Sequence, residues 1–276
     1  MSPKSIPPFR RRRLGRRIRE LREAARMTLE VAAKQLDMTR FTLARLEKGE
    51  NKMDVHIGRS MMDVYDCWDD DLLDQIRKAA PTGWWTKYGI RDRGYIDMET
   101  EATTVDTFQV VYVPGLLQTE DYMRAVFRSS RAGWSPDQIE NQVAARLVRQ
   151  RRLTDADFPL RLSVILDEAV LRRQVGGVCA MRAQLGYLVE SATLGTVTLR
   201  VLPHTAGAHP GMDGAFSLLS FPEEDTEIAY VAYSTGAVHI ERATEVREAR
   251  LLFDQLRSMA LSPLESVGFI EQVASD

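Results

Sequence analysis

The chain has 276 residues, 44% of them hydrophobic, and a formal net charge of -2. That length suits one large domain or two modest ones. No apolar run approaches the roughly 18 residues of a membrane span. The charged N-terminus lacks the apolar stretch of a signal peptide, and Cys67 and Cys179 lie too far apart for a metal-ligand spacing. The near-neutral total conceals an asymmetry. Residues 1–65 hold 16 Lys+Arg against 8 Asp+Glu, and the remaining 211 hold 21 against 31. A basic end on an acidic body implies a polyanionic partner for that end alone.

The first residues, "MSPKSIPPF", carry three prolines and read as the start of a basic flexible arm over 1–13 that includes Arg10, Arg11, Arg12 and Arg13. Leu14, Ile18, Leu21 and Ala25 then recur at helical spacing. Thr28 is placed to cap "LEVAAKQL", where Leu29, Ala32, Ala33 and Leu36 repeat at three and four. Thr39 caps a third helix over 39–48, with Gly49 where a C-terminal glycine belongs. Asp54 caps a fourth helix running through Tyr65, and "DCWDDDLLDQIRKAAP" is an acid-started fifth. A domain boundary is expected in "PTGWWTKYGIRDRG", between domains spanning 14–80 and 84–276.

Beyond Gly94 the pattern is mixed. "YIDMETEATTV" reads as a helix, "TFQVVYV" as a strand, "PGLLQTEDYMRAVF" as a turn and helix, and 135–153 as a long helix. "LRLSVILDE" is strand-like and "VCAMRAQLGYLVESA" is an amphipathic helix. Val197, Leu199 and Val201 alternate as in a half-buried strand. "GAFSLLSF" and "EIAYVAYS" are further strands, and helices over 242–260 and 264–273 close the chain. The expected fold class is α+β: an all-α five-helix helix-turn-helix domain followed by a mixed α/β domain.

The third helix carries the chemistry. At about 100° per residue, Leu43 and Leu46 share one side, while Arg40, Phe41, Ala44, Arg45 and Lys48 fall within roughly 140° on the other. A DNA-reading helix needs its N-terminal side chains at base edges in the major groove. Arginine can donate twice to guanine O6 and N7, and phenylalanine can meet a thymine methyl. The bland alternative is a protein-binding helical bundle with a solvated basic face. "MTLEVAAKQLDMTRFTLARLEKGENK" resembles the helix-turn-helix of phage-repressor-like (XRE/Cro-type) transcriptional regulators. That resemblance implies a double-stranded DNA operator, phosphate contacts at Thr28 and Lys52, and a structural ion pair between Arg22 and Glu47, and Thr39 is a further DNA-binding candidate. The arm arginines would add salt-dependent phosphate contacts.

The second domain shows no nucleophile elbow, phosphate loop or dinucleotide fingerprint. No catalytic residue, metal or cofactor is expected there, and the chain is expected not to be an enzyme. Glu99, Glu101, Asp167 and Glu168 form no marked catalytic pair. Glu168 with Arg172 and Arg173 reads as a helix start with ordinary ion pairs. His204 and His209 fall short of a zinc ligand set. "VGGVCAM" is explained by a strand-to-helix turn as well as by an anion cradle.

The stretches "YIDMETEA", "VPGLLQTEDYMRAVF", "RLVRQRRL", "DEAVLRRQVGG", "MRAQLGYL", "VTLRVLP" and "GAFSLLSF" resemble the C-terminal domain of actinobacterial WhiJ-like, antitoxin-like regulators. The resemblance implies a transcriptional regulator whose gene often neighbours one for a small partner protein, and the expected location, from the cysteines and the charged N-terminus, is cytoplasmic and nucleoid-associated. The expected function is therefore a DNA-binding regulator whose second domain binds that partner or forms a homodimer. Leu251, Leu252, Leu256, Leu261 and Leu264 are candidates for the docking surface, with a purely internal core role as the alternative. The alternatives are a small-molecule-sensing regulator and a DNA-tethered enzyme with Glu168 or Arg146 near its active site.

Overall fold

The computed structural model describes residues 7–80, 83–90, 94–130, 133–222 and 227–276. Residues 1–6 of the expected arm, and 81, 82 and 91–93 of the expected boundary, lie outside the described residues. The chain divides into two units, residues 1–86 with 91–98 and residues 87–90 with 99–276.

The first unit is built on five helices: α1 (Phe9–Ala24), α2 (Leu29–Gln35), α3 (Arg40–Glu47), α4 (Val55–Val64) and α5 (Asp70–Ala79). Each of the last four starts on a side chain that accepts from a backbone N–H in its first turn: Thr28, Thr39, Asp54 and Asp69. Such caps satisfy donors that a helix start leaves orphaned. Leu14, Ile18, Ala32, Ala33, Leu43, Leu46, Met61, Met62, Leu72 and Ile76 meet in one core.

The arm expected over 1–13 is corrected by α1, which begins at Phe9 and takes Arg10 to Arg13 into its first two turns. The physical reason is burial. Phe9 is 4% exposed, and its N–H donates to the Asp97 carboxylate. Pro8, which fixes φ near -65°, stands at the N-cap, where its missing N–H costs nothing. Two glycines bring α1 against α3. A Cβ at Gly15 would lie 2.5 Å from the Glu47 carbonyl oxygen, and one at Gly49 would lie 2.6 Å from the Arg12 nitrogen.

In the second unit, a six-stranded sheet has the order β3-β2-β1-β4-β5-β6. Its strands are β1 (Thr104–Gln109), β2 (Arg161–Asp167), β3 (Val197–Leu202), β4 (Phe216–Ser220), β5 (Glu227–Tyr233) and β6 (Gly236–Ile240). The first three run parallel and the last three follow as antiparallel neighbours. Parallel neighbours require long crossovers. Between β1 and β2 these are α7 (Glu120–Arg128) and α8 (Pro136–Gln150), and between β2 and β3 they are α9 (Glu168–Arg172) and α10 (Val178–Ser191). The closing helices are α11 (Ala243–Met259) and α12 (Pro263–Ser275). Phe253 and Leu256 of α11 pack with Phe108, Ile165, Phe216 and Leu218 of the sheet.

Three further elements depart from expectation. The helix expected to run to Val105 is α6 (Tyr95–Glu101), and β1 starts at Thr104, three residues before the expected strand. Both faces of β1 are covered, with Val105, Asp106, Thr107 and Phe108 all buried, so the alternation that marks a half-buried strand is missing. The edge strand β6 was not expected. It pairs with β5 through the two-residue link Ser234–Thr235, and its side chains are half-buried or exposed.

Candidate nucleic-acid interface

The turn from α2 to α3 depends on Asp37, whose φ of 50° lies in the left-handed region. A short polar side chain tolerates that region better than a branched one. The Met38 N–H donates to the Ala33 carbonyl at 2.9 Å, drawing the turn back onto α2. The Thr42 N–H then donates to Thr39 Oγ1 at 3.1 Å, and the two threonine hydroxyls lie 2.9 Å apart. At the far end of α3, Gly49 has φ 70°. The Gly49 N–H donates to Leu46 O, and the Glu50 N–H to Arg45 O, both at 2.9 Å. Those paired bonds close the helix as a left-handed C-terminal motif does.

Between these fixed ends, burial divides the helix into two faces. Leu43 and Leu46 are 0% and 4% exposed, whereas Phe41 is 79% exposed. Arg40, Arg45 and Lys48 are exposed beside it, and Ala44 is half-buried. Thr28, Thr39 and Lys52 are exposed at the flanks. A phenylalanine left in water at the start of a capped helix brings no folding benefit, because its ring area stays unburied. Arg10, Arg11, Arg12 and Arg13 are half-buried on α1. Arg10 Nη1 donates to Lys78 O at 2.9 Å, and the Arg12 guanidinium lies 5.7 Å from the Phe9 ring centre.

Two carboxylates that sequence reasoning did not single out sit against the exposed arginines. Arg40 Nε is 2.8 Å from Glu30, and Arg45 Nε is 3.4 Å from Glu50. Neither glutamate stands at a three- or four-residue spacing from its arginine, so no local rule flags the pair. Both are surface ion pairs, worth about 0–1 kcal/mol. The Arg22–Glu47 pair is different. Arg22 Nε and Nη2 donate to the two Glu47 oxygens at 2.6 and 3.0 Å, and Nη1 donates to Met27 O at 2.7 Å. Both side chains are almost fully buried. The Glu47 hydrogen bond is the main cause that raises the Arg22 pKa against its burial. This pair ties α1, the end of α2's approach and α3 together.

In the second unit, Glu99 is buried and accepts from Arg149 Nε and Nη2 at 2.6 and 2.7 Å, while Glu101 is half-buried. Asp167 caps α9 by accepting from the Ala169 N–H. Glu168 lies in the first turn of α9 and accepts from Arg172 Nε at 2.6 Å and from the His204 N–H at 2.8 Å. Burial opposes the Glu168 charge, but those donors outweigh it and hold its carboxyl below the ordinary range. His204 Nε2 and His209 Nε2 each lie 3.8 Å from an Asp167 oxygen. Among the described residues, no group of three or more His, Cys, Asp or Glu is arranged to hold a metal ion. No helix of the described residues is long and apolar enough to cross a membrane.

A family model described as a helix-turn-helix domain matches residues 13–76, the segment that holds α2, α3 and their turn. A helix-turn-helix domain points to a DNA-binding regulator. No curated protein and no solved structure matches the chain. A second model, described as a domain of unknown function (DUF5753), matches residues 92–272, and by that match the chain belongs to the DUF5753 family.

Proposed function

We propose that the protein is a sequence-specific transcriptional regulator of the phage-repressor-like (XRE/Cro) kind, with α3 lying in the major groove. The observation that carries this reading is the exposed ring of Phe41 between exposed Arg40 and Arg45, on a helix anchored by Leu43 and Leu46. Arg40, Phe41, Ala44 and Arg45 face base edges, Arg40 and Arg45 suited to guanine and Phe41 to a thymine methyl. Lys48, Lys52, Thr28 and Thr39 contact phosphates. Arg10 to Arg13 add phosphate neutralisation from α1 and not from a free arm. Arg22 and Glu47 hold the reading helix in place without touching DNA.

The second unit serves regulation and not catalysis, in keeping with the resemblance to WhiJ-like, antitoxin-like regulators. It pairs two copies of the chain, a small protein partner, or both, so that two reading helices engage two half-sites. Its apolar docking candidates are Leu251 and Leu264, 69% and 84% exposed, while Leu256 belongs to the core. Selection of binding sites from a random DNA pool with the full-length protein tests the reading. The expected product is a short motif with two related halves. Recovery of no enriched motif at any salt concentration contradicts the proposal.

A further inference from the structure

We propose that Arg146 is the anchor of a small-molecule site in the second unit, taking a carboxylate or phosphate group carried on an apolar body. Of the four arginines on α8 and the turn after it, Arg151 is exposed and two others are held by protein acceptors. Arg149 makes its two bonds to Glu99. Arg152 donates to the carbonyls of Glu99, Thr100, Ala102 and Phe158. Arg146 donates through Nη1 to Gln118 Oε1. Among the described residues its Nε and Nη2 make no hydrogen bond, and no carboxylate comes within 4.0 Å of it.

The guanidinium is nevertheless held firmly. It lies over the Phe127 ring at 4.4 Å from the centre. Its acceptor Gln118 is 1% exposed and is itself fixed by donating Nε2 to Val113 O at 2.5 Å. Gly115 permits the arrangement, since a Cβ there would lie 3.2 Å from Arg146 Nε. A planar fork held in one orientation matches the two oxygens of a carboxylate or phosphate. Crowding by protein makes the bare cation costly, and burial pushes its pKa down to about 9. It is still charged at neutral pH, and a bound anion would offset that cost.

Position and surroundings agree. The 110–118 segment follows the carboxyl end of β1, the strand that has parallel β2 on one side and antiparallel β4 on the other. Ligands of open α/β sheets bind outside the carboxyl ends of the parallel strands, and this segment leaves the sheet on that side. Val111 and Tyr112 are 51% and 44% exposed on that segment, and Tyr112 is close enough to act on Arg146 electrostatically. These two side chains offer cover for an apolar body beside the anion.

The test uses the full-length protein labelled with 15N at arginine Nε. Phenyl phosphate and phenylacetate are the two anionic probes, and benzyl alcohol is the neutral control. The Arg146 Nε–H resonance is assigned by its absence in Arg146→Lys. At least one anion should shift it saturably, the other anion ranking phosphate against carboxylate, and benzyl alcohol should not. Titration calorimetry with the responding anion should show affinity at least tenfold weaker in Arg146→Lys and in Arg146→Met. Absence of a saturable shift with both anions overturns the proposal, as does equal affinity in a folded Arg146→Lys. If Arg146→Met fails to fold, the wild-type resonance still decides. DNA selection by the same preparation is read separately, so a negative result here leaves the first unit's reading intact.

Discussion

Replacing Tyr65 by phenylalanine should stabilise the helical unit, and the gain should grow in alkali. Tyr65 follows α4 and is 4% exposed in the core of that unit. Among the described residues its buried hydroxyl has no hydrogen-bond partner. A buried donor left unsatisfied costs roughly 1–3 kcal/mol. Removing the hydroxyl while keeping the ring should therefore gain about 1 kcal/mol at neutral pH, at the low end because a small void replaces the oxygen. Burial, and after it the Glu47 carboxylate, push the phenol pKa up to about 12 from its ordinary value of 10.0. The sign follows directly. Between about pH 10 and 12 the unfolded chain gives up a proton that the folded chain keeps. This contribution to stability is whole below pH 10 and falls as pH rises towards 12. At pH 11 the loss is about 1.4 kcal/mol, the equivalent of one pKa unit.

For a unit of this size 1 kcal/mol moves the melting temperature by roughly 4–8 °C. Far-ultraviolet circular dichroism of full-length wild type and Tyr65→Phe at pH 8 and pH 11 provides the readout. The melting gap should more than double at the higher pH. A gap of equal size at both pH values would refute the linkage argument. A less stable Tyr65→Phe at pH 8 would mean that the hydroxyl has a partner.

Gly15→Ala gains up to about 1 kcal/mol of helix propensity, but its methyl meets the backbone carbonyls of Leu46 and Glu47, for which overpacking costs about 1–3 kcal/mol. Hydrogen exchange in α1 and α3 peptides should speed up, and slower exchange would show that the helices separate freely. Arg45→Ala should cost roughly 1–3 kcal/mol at the selected site and relax preference at one base pair. Wild-type affinity for every site variant removes it from the reading set. Arg11→Gln with Arg13→Gln should weaken binding to all sequences alike and lower the slope of log affinity against log salt by about one per lost phosphate contact. Loss confined to the selected site would mean that these arginines read bases. Leu251→Glu with Leu264→Glu should shift the full-length protein from dimer to monomer in sedimentation. A wild type already monomeric at micromolar concentration would rule out self-pairing.

The helical unit was legible because its information is local. Thr28, Thr39 and Asp54 announce helix starts through their own hydroxyls and carboxylate, and Leu43 and Leu46 divide α3 into faces by spacing alone, whereas the helix read from Asp66 starts only at Asp70. The start of α1 was hidden, because prolines and four arginines look like a tail. What makes them a helix is the burial of Phe9 and the close approach of Gly49, both tertiary. The strands show the same division. β3 alternates and was found, whereas β1 is covered on both faces and β6 lies at an edge, so neither displays a period. The ion pairs Arg40–Glu30 and Arg45–Glu50, and the crowding of Arg146 by Gly115 and Phe127, join residues that no three- or four-residue helical spacing connects.

The two glutamates beside the reading arginines bear on how such a protein would search a genome. Arg40 and Arg45 already have anionic company before any DNA arrives. On the proposed reading, each must exchange a carboxylate for a nucleic-acid acceptor, and a single phosphate oxygen is a near-even trade. Only a guanine edge that accepts twice makes the exchange clearly favourable. Glu30 and Glu50 would thus shorten each stay on random sequence more than the stay at the right site. Fewer molecules would be held on the vast excess of wrong sites, and the free pool available to a single correct one would rise.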